Sequence, residues 1–543
     1  MSQLARNDDA NSKLGLGARD FKDTADYVRS LFRVSMEDWS PESRLEARLS
    51  RVVRDFLSTD KTGSFSTIEE LAQQVMTSRM PDEPSDLDQY VGHLATSVIP
   101  HCVYTSSPRF IGHMTSALPW FVRPLSTLMA ALNQNMVKIE TSKVLSVYER
   151  QAIAMLHREL YGLAEGFYEK HLQVGSSTLG IVVSGGTVAN LTALWCARNT
   201  SLGPRGSFGG IEKEGLAAAL QHYGYKGAVI IGSTLMHYSF DKAAGLLGIG
   251  TDNLIKVPLD PQNRIDLTRL EEELEECRVK RLKVIALVGI AGTTDCGSVD
   301  PLVEMAEISR RYGAHFHIDA AWGGPCVFSG RNRHKLAGID LGDSVTIDGH
   351  KQMYLPLGIG MLLLRDPALG CSIEKHARYI IRASSLDLGK RSLEGSRPAL
   401  VLLMHTALNL LGRRGYEWLI DEGIRKAQYM AQSIRTRSEF EVLAEPTLNI
   451  LAYRYIPQRL RQKTSHQLTP TDNDDINRCN NRLQKIQRQA GRSFVSRTTL
   501  DTPNGNGTQM VTALRAVLAN PLTEESDIDA VLEEQKEIGS NLN

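Results

Sequence analysis

Short apolar runs that close in Gly, Ser, Thr or Asp recur through the middle of the chain: GIVVSG (180–185), GAVIIGS (227–233), RLKVIALVGIAG (281–292), HFHIDAA (315–321) and DSVTIDG (343–349). They are too continuously apolar for strands with one wet face, and helical patterns such as NLTALWCARN and DLTRLEEELEEC lie between several of them. That alternation predicts an α/β architecture, a mainly parallel sheet covered by helices on both sides. GIGMLLLRD (358–366) predicts an edge or antiparallel strand. Ligands gather at the C-terminal ends of the strands in such sheets, which is where the polar clusters of this chain fall.

The flanks are patterned differently. Residues 14–100 are mostly helical and amphipathic: SPESRLEARLSRVVRDFL offers Ser40 as an N-cap, and STIEELAQQVM carries a Ser-x-x-Glu capping pattern from Ser66. This arm is suited to embracing the main body or a second subunit. After Pro398 a long helical stretch runs through ALVLLMHTALNLLGRRGYEWLIDEGIRKAQYMAQSI, followed by an alternating strand LNILAYRY and a polar surface loop QRLRQKTSHQLTPTDNDD. INRCNNRLQKIQRQA predicts a helix, SFVSRTTL and TQMVTALRAVL strands, and DIDAVLEEQKEI a terminal helix. The expected organisation is a helical arm (1–105), a large α/β domain (106–395) and a smaller α+β domain (396–543). GPRGSFGGIEKEG (203–215) predicts a surface excursion.

Composition adds exclusions. The 543 residues balance 62 Lys+Arg against 62 Asp+Glu, so no global field attracts nucleic acid. No apolar run reaches the ~18 residues of a membrane span. The start, MSQLARNDDANSK, has acidic residues where a signal peptide has its apolar core, so a cytoplasmic location is expected. The seven cysteines are widely spaced without C-x-x-C, which predicts free thiols and no structural metal site. The 44 glycines matter for where they fall.

Four strand ends carry candidate chemistry. In SGGTVAN, Ser184, Gly185, Gly186 and Thr187 form a tight turn whose N–H groups and hydroxyl suit an anion at a helix start; alone, it is equally an ordinary strand-to-helix turn. In HIDAAWGG, Asp319 ends a strand where a carboxylate faces solvent or a cation, and small Ala320 and Ala321 leave room for a flat group. In TIDGHKQMYLP, Lys351 follows His350; a surface lysine is the plainer reading, but one held in a cleft attacks carbonyl carbon. His237, in STLMHYSFDKA, suits stacking on an aromatic ligand or proton relay, or a structural role. Together the four supply what pyridoxal 5'-phosphate (PLP) requires: a phosphate cradle, a carboxylate for the ring nitrogen and an amine for the aldehyde.

With these motifs in order, the chain from about Ser107 to Gly539 resembles the group II PLP-dependent amino-acid decarboxylases, which include glutamate, aromatic-amino-acid and cysteine-sulfinate decarboxylases. The resemblance implies a type I PLP fold with a mostly parallel seven-stranded sheet. It implies Lys351 as the amine bonded to the cofactor, Asp319 on the ring nitrogen, His237 on the ring face, and Ser344 and His350 near the phosphate. SPRFIGH (107–113) resembles the glutamate-decarboxylase side, with His113 where those enzymes commonly have Gln. Asn135 falls on a substrate-side position, Tyr379 on the proton-donating tyrosine of a catalytic loop, and Arg515 on an arginine that pairs with substrate carboxylate. The arm and EGSRPA (394–399), where animal relatives have Cys-Gly-Arg, resemble bacterial aspartate 1-decarboxylases that supply β-alanine for pantothenate. The implied reaction is aspartate α-decarboxylation, with glutamate decarboxylation the alternative. A catalytically silent interaction protein on the same fold is the reading from another class. The resemblance also implies a homodimer with the site near the subunit boundary.

Overall fold

The computed structural model describes residues 32, 41–376, 385–464, 467–504 and 507–542. Seven strands form the central sheet: β1 (Gly180–Val183), β2 (Gly227–Ser233), β3 (Leu254–Val257), β4 (Leu282–Ile290), β5 (His315–Asp319), β6 (Ser344–Asp348) and β7 (Gly360–Leu364). Their order is β1-β7-β6-β5-β4-β2-β3. The pairs from β6 through β3 are parallel, and β7 runs antiparallel to both of its neighbours. The GIGMLLLRD strand is therefore antiparallel and interior rather than an edge. The true edge beyond β2 is β3, whose four residues LIKV are too short and too interrupted by lysine to stand out in the sequence.

Alternate side chains of these strands enter different cores, as the pleat requires. Val182, Leu287, Ile318, Ile347 and Met361 pack with helices Val144–Tyr161, Leu267–Lys280 and Leu302–Tyr312. Ile181, Val183, Leu362 and Leu364 pack against helix Gly186–Ser201 on the opposite face. Helices Ile211–Tyr223 and Ser239–Leu246 extend that second layer over β2 and β4. Both faces are covered, which is why the runs are so continuously apolar.

A second sheet follows: β8 (Phe440–Ala444), β9 (Ile450–Tyr455), β10 (Ser496–Asn504) and β11 (Gly507–Val517), all antiparallel in the order β10-β11-β9-β8. Tyr453, Tyr455, Leu514 and Ala516 bury one face against Met430, Ile434, Leu483, Val531 and Leu532. The segment SPRFIGH joins the sheets. Phe110 bridges Phe494, and the Ile111 carbonyl accepts the Val517 N–H. In space this segment lies against the C-terminal strands.

Several local expectations shift. The capping box on helix Ile68–Gln74 uses Thr67 and Glu70, one residue beyond the Ser66 pattern, because both registers fit and Thr67 adopts the extended cap conformation. Ser40 lies outside the described residues. The long helix Val401–Arg435 is interrupted at Gly412, where φ is 60°. The polar loop is shorter than expected, since a Thr469–Asp472 capping box starts helix Pro470–Ala490 inside it. The 203–215 stretch is no excursion: Phe208 and Ile211 are buried, and a helix begins at Ile211. All seven cysteines are unpaired. Among the described residues no helix is long and apolar enough to cross a membrane.

Candidate active site

The C-terminal ends of β1, β2, β4, β5 and β6 surround a cavity of about 490 Å³. Its walls include Ser184 to Thr187, His237, Asp319, Ala321, His350 and Lys351, with His113 and Arg515 arriving from the second sheet's side. Residues spread over more than 400 positions are thus gathered by the strand ends and by the SPRFIGH clamp.

The anion turn is shaped by two glycines. Gly185 has φ 154°, a conformation that disfavours side chains, and caps helix Gly186–Ser201. A Cβ on Gly186 would lie 2.8 Å from Asp348 Oδ2, so the turn can sit this close to β6 only with hydrogen there. Gly186 and Thr187 open this helix at the cavity wall, and the first N–H groups of a helix have no carbonyl partner within it, the kind of donor set a phosphate needs. The Ser184 N–H is held 2.9 Å from Glu394 Oε1.

Asp319 closes β5 and is almost fully buried. Its Oδ1 accepts the Ala321 N–H at 3.1 Å and its Oδ2 accepts Asn190 Nδ2–H at 2.9 Å. Both donors are neutral, so a protonated ring nitrogen would supply the missing positive charge. Lys351 Nζ lies 3.1 Å from Asp348 Oδ2, and Asp348 Oδ1 is buried with no hydrogen-bond partner. His237 is fixed by the Ser239 N–H, which donates to Nδ1 at 3.2 Å. Burial, opposed mainly by the Asp319 carboxylate, holds its imidazole below the ordinary histidine value. His113 is lowered by burial and by the nearby charge of Arg515 and Lys351.

Arg515, on β11, is only 8% exposed. It donates to Ser496 Oγ (2.8 Å), the Thr294 carbonyl (2.8 Å) and the Gly112 carbonyl (3.3 Å), all neutral oxygens. Burial pulls it below the usual guanidinium value, against Asp295. Asp295 itself accepts a hydrogen bond from Thr498. Behind the site, Trp322 Nε1 donates to Asn449, Asn449 to Gln352, and Gln352 to the Trp322 carbonyl, a closed cycle that pins the Lys351 segment to the second sheet.

Two expected positions are not brought to the cavity. Ser344 begins β6, at the end of the strand remote from Lys351, and its hydroxyl is bonded to His315 and His317. Asn135 binds Ser396 Oγ (2.9 Å) and the backbone N–H groups of Val137 and Arg397, so it braces the 396–398 segment rather than lining the cavity. Tyr379 lies outside the described residues. Sequence reasoning passed over Asn190 and Asp348. Their signals were present: Asn190 sits one helical turn after Gly186, and Asp348 stands three residues before Lys351 at a strand end.

Comparison with known proteins places this geometry in a family. Residues 69–456 match the pyridoxal-dependent decarboxylase conserved domain, and the chain belongs to that family of group II PLP decarboxylases. It is 45% identical over 528 residues to the aspartate 1-decarboxylase of Aliivibrio fischeri, across 95% of this chain and 96% of that one. The crystal structure of mouse CSAD superposes with TM-score 0.78 at 24% identity, over 92% of this chain and 100% of the other. That of Oryza sativa TDC with PLP and tryptamine gives 0.78 at 20% identity, over 94% and 100%. The cofactor is PLP, and the reaction class is amino-acid decarboxylation. The residues present fit the group: a glycine cradle, a buried carboxylate with only neutral donors, and a lysine at the rim of one cavity.

Proposed function

We propose that the chain removes the α-carboxyl group of L-aspartate, releasing carbon dioxide and β-alanine. Arg515 carries the reading: a buried guanidinium bonded to neutral oxygens at the wall of a cofactor-sized cavity is an anchor for a substrate carboxylate. The relative named aspartate 1-decarboxylase supports aspartate over glutamate, which is one methylene longer and separable by only ~1–3 kcal/mol in such a pocket.

Bound PLP supplies the electron sink for the bond that breaks. The chain's own residues do the rest. Lys351 would hold the aldehyde until the substrate amine takes its place, Asp319 would keep the ring nitrogen protonated, and Ser184 to Thr187 would hold the phosphate. His237 would lie against the ring and exclude water, and Tyr379 or His237 would deliver the proton to Cα. His113 lies beside Arg515 and shapes the substrate end.

The working unit is a homodimer. Leu357 lines the cavity yet is 70% exposed, and Trp120, 74% exposed, precedes helix Val122–Leu132, which carries exposed Leu128 and Leu132. A second copy seated there would complete the wall. Sedimentation of the purified protein at twice the chain mass is expected, and a monomeric, fully active species would remove this part. Carbon dioxide release measured with aspartate, glutamate, cysteine sulfinate and aromatic amino acids tests the substrate. Highest kcat/KM with glutamate overturns aspartate. Borohydride reduction followed by peptide mapping should place the label on Lys351.

A further inference from the structure

Asp319 is the inner end of a continuous line of buried hydrogen bonds. Asn190 Nδ2 donates to Asp319 Oδ2 (2.9 Å), and Asn190 Oδ1 meets His317 Nε2 (3.1 Å). His317 Nδ1 meets Ser344 Oγ (2.8 Å), Ser344 Oγ meets His315 Nε2 (2.7 Å), and His315 Nδ1 faces Asp343 Oδ2 at 3.8 Å. Asn190, His317 and Ser344 are almost wholly buried, while the Asp343 side chain is 50% exposed. The line runs along one face of β5, from the cavity at the strand's C-terminal end to solvent at its N-terminal end.

Its direction follows from donor and acceptor counting. An ionised Asp319 only accepts, so Asn190 must turn its amide N–H groups toward it; the second goes to Ser239 Oγ at 3.0 Å. The amide oxygen then needs a donor, which makes His317 the Nε2–H tautomer. Its Nδ1 is left as an acceptor and takes the Ser344 hydroxyl proton. Ser344 in turn accepts from His315 Nε2–H. Every donor therefore points toward Asp319, and bonds aligned head to tail polarise one another. A neutral His317 is required, and burial pushes it down to about 3.

We propose that His317, Ser344 and His315 are positioning residues: a one-directional relay that orients Asn190 and holds Asp319 as an ionised acceptor for the cofactor's ring nitrogen. The inference rests on the proposed role of Asp319. Without the relay, Asn190 can turn its oxygen toward the carboxylate, which costs a donor and leaves Asp319 free to rotate. No covalent step is involved; the effect is on how well the site holds a protonated ring.

The test uses apo-protein titrated with PLP and with its 1-deaza analogue, which carries C–H in place of the ring nitrogen. Wild-type protein should bind PLP more tightly than the analogue. Ser344→Ala removes one hydroxyl from the middle of the relay and should weaken PLP about tenfold, the worth of one or two buried hydrogen bonds, while leaving the analogue unchanged. His317→Phe should act the same way, and Ser344→Thr should restore PLP binding. Equal loss for both ligands in Ser344→Ala would mean a packing role only and overturns the relay while sparing Asp319. A wild-type protein that binds both ligands equally overturns the role of Asp319 and the relay with it.

Discussion

Lys351 Nζ begins as half of a buried ion pair, 3.1 Å from an Asp348 carboxylate that is itself only 4% exposed. An ammonium cannot attack a carbonyl, so this pair must separate before the lysine reacts with any aldehyde. Asp348→Asn removes the charge with little change of shape. Capture of PLP by apo-protein, followed as absorbance in a stopped-flow mixer, should then be faster by on the order of tenfold. An unchanged or slower rate would show that Asp348 assists the attack instead. Arg515 makes the complementary prediction. Arg515→Gln keeps hydrogen-bonding capacity but loses a charge-assisted contact worth ~1.5–3 kcal/mol, so kcat/KM for aspartate should fall ~10–100-fold. The PLP content of the purified variant should be unaltered. Parallel loss of cofactor would assign Arg515 to the frame of the site instead of to the substrate.

At the level of elements, β7 sets how closely the Ser184–Thr187 turn can approach the lysine. A Cβ on Gly360 would lie 2.6 Å from the Gly185 backbone and 2.9 Å from Asp348 Oδ1. Gly360→Ala should therefore push the turn away from β6 and weaken PLP by on the order of tenfold. Helix and strand content by circular dichroism should persist, because β7 keeps its pairings along both edges. Cofactor binding at wild-type strength would show that the turn yields without cost. The position of β7 was hidden in the sequence: GIGMLLLRD has the apolar run of a buried strand, but nothing local tells an interior antiparallel strand from an edge. The strand ends bearing His237, Asp319 and Lys351 were legible because an apolar run that stops at a polar residue marks where the backbone leaves the sheet. β3 and β8 escaped notice since LIKV and FEVLA are short and mixed. Asn190 is harder still. Its role depends on meeting a strand 129 residues away, a contact that no spacing along the chain encodes. Ser344 fell in a matching motif yet faces the other end of its strand, since a motif fixes neighbours and not the direction of a side chain.

For the molecule as a whole, buried titratable groups decide the response to acid, and they do not all act in one direction. His157 and His317 are fully buried, and burial lowers them from 6.5 to about 4 and about 3. Below pH 6.5 the unfolded chain takes up protons that the folded one refuses, so stability falls with pH from 6.5 toward those values. At ~1.4 kcal/mol per pH unit, each histidine costs about 3 kcal/mol by pH 4. Asp300 opposes them. Burial raises it from 3.8 to about 6 despite two backbone N–H bonds, so its folded form binds the extra proton and gains stability as pH falls from 6 toward 3.8. That gain offsets about one histidine, leaving a net loss of a few kcal/mol between pH 6.5 and 4. The urea midpoint of the protein should therefore be level above pH 7 and decline steadily below 6.5. His157→Gln, whose amide can still meet the Leu364 carbonyl that His157 Nε2 contacts at 3.1 Å, should flatten the decline, while Asp300→Asn should steepen it. A midpoint that holds constant from pH 7 to 4.5 in the wild type would mean that these groups take up protons without unfolding, and would remove the buried-histidine account of acid sensitivity.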